Sequence, residues 1–366
     1  MKLLREVVFF LPSKIWCGVA RIKNFLYDQR ELLLKRALPG SFSNSFSRKW
    51  MTKSSSRVLS IGNLTMGGVG KTPLVLEFAK RLARKNKVAV VMKSYGGRIK
   101  SPARVNPSDL KSTFIYGDEP VMVAQALSSM AVPVFAGPSK SKTVRALPRI
   151  ACGLVMDTLI VDDGFQHRKL YRDFNLLVLD ATESLENYRC FPLGRGREDF
   201  HRGLQRAHGV IITRSNLVSE RDLDILTSLV SQIPFLCVGL EIDGFEEWIP
   251  SSGEWISRSL EYMKGLSKDV SMALVTGLGR PLQLKKILNE AGFFFEKEFF
   301  FRDHHVFKSE DLPSDAEALV MTQKDAVKIC RLPDLGQKLF VVQSKILWPE
   351  GSEKFLQEIE KCLQSR

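Results

Sequence analysis

The chain has 366 residues, of which 44% are hydrophobic and 26% charged, a balance that excludes collagen-like, low-complexity and wholly disordered chains. At ~100–200 residues per domain the length fits two compact units, each with its own core. Lys plus Arg number 54 against 40 Asp plus Glu, a net charge of +14, and residues 1–50 alone hold ten basic against three acidic residues; half the excess sits in one N-terminal element, and the mild charge of the rest argues against a surface coated in nucleic acid.

That first element begins with a basic start followed by VVFFLP, a pattern reminiscent of a secretion signal. The apolar run is short, Glu6 and Lys14 bracket it and no clear small-residue cleavage site follows. The same charges interrupt any span of ~18 apolar residues that could cross a bilayer. After Pro12, Ile15, Val19, Ile22 and Leu26 fall at helical spacing, with Trp16 and Phe25 beside the stripe and Lys14, Arg21 and Lys23 flanking it. Such a helix suits a lipid interface, where apolar side chains sink among acyl chains and basic stems reach anionic head groups; it equally suits a helix packed on its own domain. Residues 39–49, PGSFSNSFSRK, then predict a loop leading to the body.

RVLSIGNLTMGGVGKT at 57–72 predicts a short buried strand, a glycine-rich turn and a helix that continues through KTPLVLEFAKRLAR, with Pro73 in its first turn where no N–H is needed. Glycines let consecutive N–H groups converge on phosphate oxygens and the helix start adds partial positive charge. Residues Thr65, Met66, Gly67, Gly68, Val69, Gly70, Lys71 and Thr72 are the candidate nucleotide loop, with Lys71 reaching the β and γ phosphates and Thr72 holding Mg²⁺. The loop departs from GxxxxGK[ST] at Thr65, where the pattern has glycine.

Further along, DTLIVDDGFQHRKL at 157–170 is a β-rich run ending in paired carboxylates. If its strand neighbours the first, Asp162 and Asp163 stand where such folds hold Mg²⁺, and because successive side chains on a strand point opposite ways, one of the two faces the metal. Strand-like runs recur at KVAVVMKSY, NLLVLDA, GVIITR, FLCVGLEI, SMALVTG, FFFEKEFFF, EALVMT and KLFVVQ with helical stretches between several of them, which predicts an α/β protein with a largely parallel sheet flanked by helices. DGFEEWIPSSGEWISRS at 243–259 breaks the alternation, and VTGLGRP opens a new βα unit with a helix from about Pro281 that Gly292 stops. The expected division is an N-terminal basic segment over 1–50, a P-loop core over 51–235 and a smaller α/β lobe over 236–366. FRDHHVF at 301–307 places His304 and His305 beside Asp303, a group able to deprotonate a hydroxyl near neutral pH. Six scattered cysteines without a CxxC predict reduced, mostly buried thiols.

Together SIGNLTMGGVGKTP, YGDEP, VDDGFQH, VTGLGRP, FRDHH and TQKDAVK resemble the tetraacyldisaccharide 4'-kinase family of lipid A biosynthesis, in order along most of the chain. The resemblance implies ATP- and Mg²⁺-dependent phosphorylation of the 4'-hydroxyl of an acylated glucosamine disaccharide 1-phosphate. It also implies a monotopic enzyme on the cytoplasmic face of a bacterial inner membrane, with the anionic membrane surface and the lipid substrate as partners, no nucleic acid and no obligate protein partner. Carried onto this chain, it makes Asp118 and His304 the base dyad and puts Glu119, Asp162 and Asp163 near the metal, with Arg197, Glu198 and Asp199 in place of an REP segment. Lys93–Gly97 (KSYGG) replaces SRGYG, and Lys140 stands where arginine is expected, keeping charge while losing the bidentate fork. A GTPase switch is the main competing class, but TQKD carries its lysine one place late for NKxD, and Val161 stands where a DxxG motif needs Asp. A non-catalytic membrane tether would not need Lys71, Thr72 and the paired carboxylates.

Overall fold

The computed structural model describes residues 15, 18–20, 22, 52–109, 111–329 and 336–364. Its strands in chain order are β1 (Arg57–Gly62), β2 (Val88–Lys93), β3 (Ala103–Arg104), β4 (Val134–Gly137), β5 (Thr158–Asp162), β6 (Phe174–Asp180), β7 (Gly209–Thr213), β8 (Phe235–Ile249), β9 (Glu254–Arg258), β10 (Met272–Thr276), β11 (Lys297–Phe300), β12 (Ala318–Met321) and β13 (Lys338–Leu347). They belong to two compact units, one made of residues 1–93, 139–239 and 348–366, the other of 94–138 and 240–347.

In the first unit the start of β8, then β7, β6, β1, β5 and β2 lie side by side, and every pairing is parallel. Strands covered on both faces need apolar side chains in both directions, and accordingly β5, β6 and β7 are buried at every position. Helix Lys71–Ala83 buries Leu74, Val75, Phe78, Ala79 and Leu82. Helix Ser352–Gln364 buries Phe355, Leu356, Ile359 and Leu363. Arg81 joins the two helices through Glu353 and Glu360 at 2.7 and 2.6 Å. Pairing of Ile61 with Asp162 sets the glycine-rich turn after β1 beside the carboxylates that end β5, and β6 flanks β1 on its other side. This is the switch point at which open α/β sheets bind ligands.

In the second unit β11, β10, β12 and β13 form a parallel set. Helix Pro281–Glu290 connects β10 to β11 and helix Gln323–Ile329 follows β12. The segment that breaks the α/β alternation is a hairpin: the end of β8 pairs antiparallel with β9, and Trp248 faces Trp255. β3 and β4 pair antiparallel, and helix Asp118–Ala126 packs against helix Gln323–Ile329.

The units differ from the expected lobes, since residues 94–138 group with the C-terminal half and the C-terminal helix returns to the first unit. Strand lengths and turn residues mark where elements begin, whereas long-range pairing decides which unit owns them. Of the N-terminal stripe, Ile15, Val19 and Ile22 are helical and exposed at 59%, 61% and 64%; Trp16, Phe25, Leu26 and the loop at 39–49 lie outside the described residues. No helix among the described residues is long and apolar enough to cross a membrane. Cys152, Cys237 and Cys362 are free thiols, and Cys152 and Cys362 are exposed, which corrects the expectation of mostly buried cysteines.

Candidate active site

The first cluster is built on the turn after β1. Gly67 and Gly70 have φ of 109° and 76°, values that need glycine, and Gly70 is the residue before helix Lys71–Ala83. This helix starts with no side-chain cap and no acidic residue in its first turn, so its orphan N–H groups have no side-chain acceptor and suit an anion. A methyl placed on Gly68 would meet nothing within 4 Å. Three segments hold the loop's shape. Buried Asn63 donates from Nδ2 to the Thr65 carbonyl at 2.7 Å and accepts from Lys71 Nζ at 2.9 Å. Gln166 Nε2 donates to the Asn63 carbonyl at 2.8 Å, and Thr213 Oγ1 donates to the Val69 carbonyl at 3.0 Å. Leu64 O accepts from Arg197 N, and Met66 N donates to Arg195 O, both at 2.8 Å. Of the expected loop residues, Met66 thus spends its N–H on Arg195, and Thr65 and Val69 are 1% exposed; Gly67, Gly68, Gly70, Lys71 and Thr72 remain the parts suited to phosphate.

Asp163 anchors the cations. Lys71 Nζ lies 3.4 Å from its Oδ1, Arg197 Nη1 lies 3.1 Å from both oxygens, and Lys140 Nζ lies 3.8 Å from Oδ2 while donating to the Asp163 carbonyl at 2.6 Å. Burial alone pushes this carboxyl up, but Lys71, Lys140 and Arg197 outweigh it and hold its pKa down at about 2. Asp163 also has a left-handed φ of 47°, one of the sparsely populated conformations that persist where surrounding contacts over-determine them. Burial lowers the pKa of Lys140 despite the two neighbouring carboxylates. His167 accepts from Ser141 N at 3.1 Å, and burial together with Lys140 and other cations takes its pKa down to about 4, so it is neutral near pH 7. Glu198, from the RED segment, is 3% exposed and holds Arg206 at 2.6 Å and Gln166 at 3.2 Å.

The chemistry of this cluster fits a nucleotide and Mg²⁺. The helix start and cations suit phosphates, and the Thr72 hydroxyl with the strand-end carboxylate of Asp162 offers the hard oxygen donors this ion takes. Asp163 is already shared by three cations.

The second cluster lies within the second unit. Gly117, with φ 91°, precedes helix Asp118–Ala126; a side chain there would collide with the Tyr95 carbonyl. Asp118, 6% exposed, opens this helix. His304 Nδ1 stands 2.9 and 3.2 Å from its two oxygens, so Nδ1–H donates to the carboxylate and Nε2 is left to accept. His304 is held at φ 61° and its ring lies 4.8 Å from that of Tyr95. The hydrogen bond to Asp118 raises its pKa above the ordinary imidazole value, against burial and the Lys324 ammonium, which pull it down. Asp118 would be raised by burial, but His304, Lys324 and Lys328 hold it below the usual carboxylate range. Lys324 Nζ lies 2.8 Å from Asp303, 3.3 Å from Glu119 and 3.4 Å from His304 Nε2. Lys328 bonds the His305 carbonyl at 3.0 Å and Asp325 at 3.2 Å. Asp325, fully buried, accepts from Thr276 Oγ1, Gly277 N and Thr322 Oγ1 at 2.9, 3.1 and 2.9 Å.

The sequence-predicted residues therefore fall into two groups. Lys71, Asp163 and Arg197 are brought together in the first unit, with Thr72 next to Lys71 in the chain; Asp118 and His304 meet in the second. Glu119, expected near the metal, belongs to the second unit and pairs with Lys324. His305 is drawn away from the dyad by Asp311 at 3.0 Å. Gln166 and Arg195 do not stand out in the sequence, because contacts distant along the chain give them their roles; Asn63 acts locally, on Thr65 and Lys71, and lies within the quoted loop motif. Lys324 and Lys328 could have been found from their i, i+4 spacing in TQKDAVK, which puts both ammonium groups on one helix face.

The family model for tetraacyldisaccharide-1-P 4'-kinase matches residues 40–364. The chain is 38% identical over 324 residues to the tetraacyldisaccharide 4'-kinase of Bdellovibrio bacteriovorus, covering 84% of this chain and 88% of the relative. It is 32% identical over 308 residues to that of Syntrophus aciditrophicus, covering 76% and 77%. Among solved structures, LpxK from Aquifex aeolicus in complex with ATP is similar with a TM-score of 0.71 at 25% identity, covering 98% of this chain and 99% of that one. By sequence and by fold, the chain belongs to the tetraacyldisaccharide-1-P 4'-kinase family.

Proposed function

We propose that the chain transfers the γ-phosphate of ATP to the 4'-hydroxyl of a tetraacyldisaccharide 1-phosphate, the kinase step of lipid A biosynthesis, with the donor half of the chemistry in its first unit and the acceptor half in its second. The contact that supports the assignment of roles most directly is the 2.9 Å approach of His304 Nδ1 to buried Asp118. Phosphoryl transfer needs little covalent chemistry from a protein, only positioning, charge neutralisation and a base for the attacking hydroxyl. Asp118 fixes the His304 tautomer with Nδ1 protonated, so that Nε2 takes the proton of the acceptor hydroxyl. Lys324, beside both Glu119 and Asp303, keeps the Nε2 side cationic and limits how far Asp118 can raise the imidazole. In the first unit, the N–H groups at the start of helix Lys71–Ala83 and the Lys71 ammonium hold the phosphates. Thr72 and Asp162 would hold Mg²⁺, which when bound neutralises charge on the β and γ phosphates.

The exposed stripe of Ile15, Val19 and Ile22 supports seating at a membrane surface, as an amphiphilic acceptor requires, and the proposed location is the cytoplasmic face of the inner membrane. Transfer of the labelled γ-phosphate of ATP to tetraacyldisaccharide 1-phosphate in mixed micelles tests the reading, wild type beside Lys71→Ala. Labelled lipid with wild type alone is expected. ATP binding without labelled lipid would refute the acceptor assignment.

A further inference from the structure

We propose that Arg195 is an arginine supplied by the chain itself to the γ-phosphoryl group, resting over the third residue of the phosphate loop and neutralising charge as that group is transferred. This deepens the ATP-kinase reading above and rests on it.

Four arginines crowd this side of the first unit, and three have carboxylate partners. Arg197 pairs with Asp163, Arg206 with Glu198 and Arg214 with Asp180. Arg195, half-buried, has no side-chain hydrogen bond or ion pair among the described residues. Its guanidinium instead occupies the place of the absent Gly67 side chain. A methyl on Gly67 would overlap Nη2 and stand 3.2 Å from Cζ and 3.7 Å from Nη1. Gly67 is required by its φ of 109°, and the space its side chain would fill is where the Arg195 guanidinium ends.

The backbone that carries Arg195 is fixed on the phosphate loop. Arg195 N donates to the Asn187 carbonyl at 2.7 Å and Arg195 O accepts from Met66 N at 2.8 Å. Gly196 bridges to Thr65, and Arg197 N closes the ladder on Leu64 O at 2.8 Å. A charged side chain set on a loop's own backbone ladder, with no carboxylate to satisfy it, is preorganised for a charge that arrives with the ligand. Lys71, Lys140 and Arg197 already share Asp163, so a polyphosphate brings the anion that Arg195 lacks.

In the transfer, the bond between the γ-phosphorus and the β–γ bridging oxygen breaks, and a bond from the acceptor oxygen to that phosphorus forms. The acceptor proton goes to His304 Nε2 and ADP leaves with the bridging oxygen's electron pair. Arginines in this role act on the charge that the transferring group spreads over its equatorial oxygens, so the interaction is stronger in the transition state than with bound ATP.

The test compares wild type, Arg195→Gln and Arg195→Lys in two measurements: equilibrium binding of ATP, of ADP, and of ADP with aluminium fluoride, and the separation of kcat from KM for ATP. Arg195→Gln is expected to lower kcat by at least about 100-fold and to weaken ADP–aluminium fluoride by a similar factor. Its ATP and ADP affinities should stay within about threefold, and Arg195→Lys should recover only part of the loss, since lysine lacks the bidentate fork. Because the anchoring bonds are made by the backbone, both variants keep the loop ladder. An unchanged kcat and analogue affinity would overturn the proposal, as would a parallel loss of ATP, ADP and analogue binding, which would make Arg195 a support for loop shape. Failure of wild type to bind ATP at all would overturn the nucleotide reading beneath it.

Discussion

Asp325 shows how the second unit turns a buried carboxylate into catalytic geometry, and its removal has a cost that can be worked from the structure. Its side chain is fully buried and takes three neutral donors on Oδ2, from Thr276, Gly277 and Thr322, with the Lys328 ammonium 3.2 Å from Oδ1. Asp325→Ala strands these donors. A buried donor left unsatisfied costs about 1–3 kcal/mol, and the two threonine hydroxyls, free to rotate, belong at the low end of that range. Lys328 keeps the His305 carbonyl at 3.0 Å and has Asp118 at 3.8 Å, so it is not wholly abandoned. The sum is about 3–5 kcal/mol, the range found when one partner of a buried ion pair is removed. In a domain of 150–250 residues this lowers Tm by roughly 10 °C. Urea unfolding followed by tryptophan fluorescence measures it, with Thr322→Val as the control that removes a single donor. A destabilisation under about 1 kcal/mol in Asp325→Ala would refute the reasoning, because the network would then be compensated by water. Folded Asp325→Ala protein should also turn over slowly, since a freed Lys328 competes with His304 for Asp118.

The remaining expectations concern the base, the membrane face and the C-terminal helix. His304 acts as a base only when neutral, and its pKa is raised above 6.5 by Asp118; kcat/KM should therefore fall on the acid side through a group titrating above that value. In Asp118→Asn the limb should move to lower pH while the plateau drops, and an unmoved limb would assign the titration to another group. Replacing Ile15, Val19 and Ile22 by glutamate should abolish sedimentation with anionic vesicles and leave the unfolding midpoint in place, because the three side chains are already exposed. Phe355, 8% exposed, packs on Gly209; Phe355→Ala should cost about 3–5 kcal/mol, read by chemical denaturation, and a loss below 1 kcal/mol would show that the C-terminal helix contributes little to the first unit.

The donor half was legible in the sequence because its chemistry is local. Strand, glycines, Lys71, Thr72 and helix are consecutive, and backbone conformation and periodicity dictate each of them. The position of Asp162 and Asp163 was legible too, since a buried run ending in carboxylates becomes a strand next to β1; what sends Asp163 toward Lys71 was not, because Asp163 follows the end of that strand in a left-handed conformation rather than continuing its alternation. What the loop needs from elsewhere was not legible, since Arg195, Gln166 and Thr213 reach it through backbone carbonyls and a missing side chain, features that leave no residue-type signature.

The acceptor half is the opposite case. Asp118 and His304 are 186 positions apart, and no periodicity links a helix N-terminus to a turn after an edge strand; the family resemblance named the pair, and the fold brings it together through elements that each have other reasons to exist. Helix Asp118–Ala126 packs on helix Gln323–Ile329, and the latter is tied to the end of β10 by Asp325 through Thr276 and Gly277. The lysines on that helix then reach the dyad and the His305 carbonyl. Segment 94–138 must therefore belong to the second unit for the base to exist at all, which is why a boundary drawn from local composition, keeping it with the phosphate loop, separates two residues that share one proton.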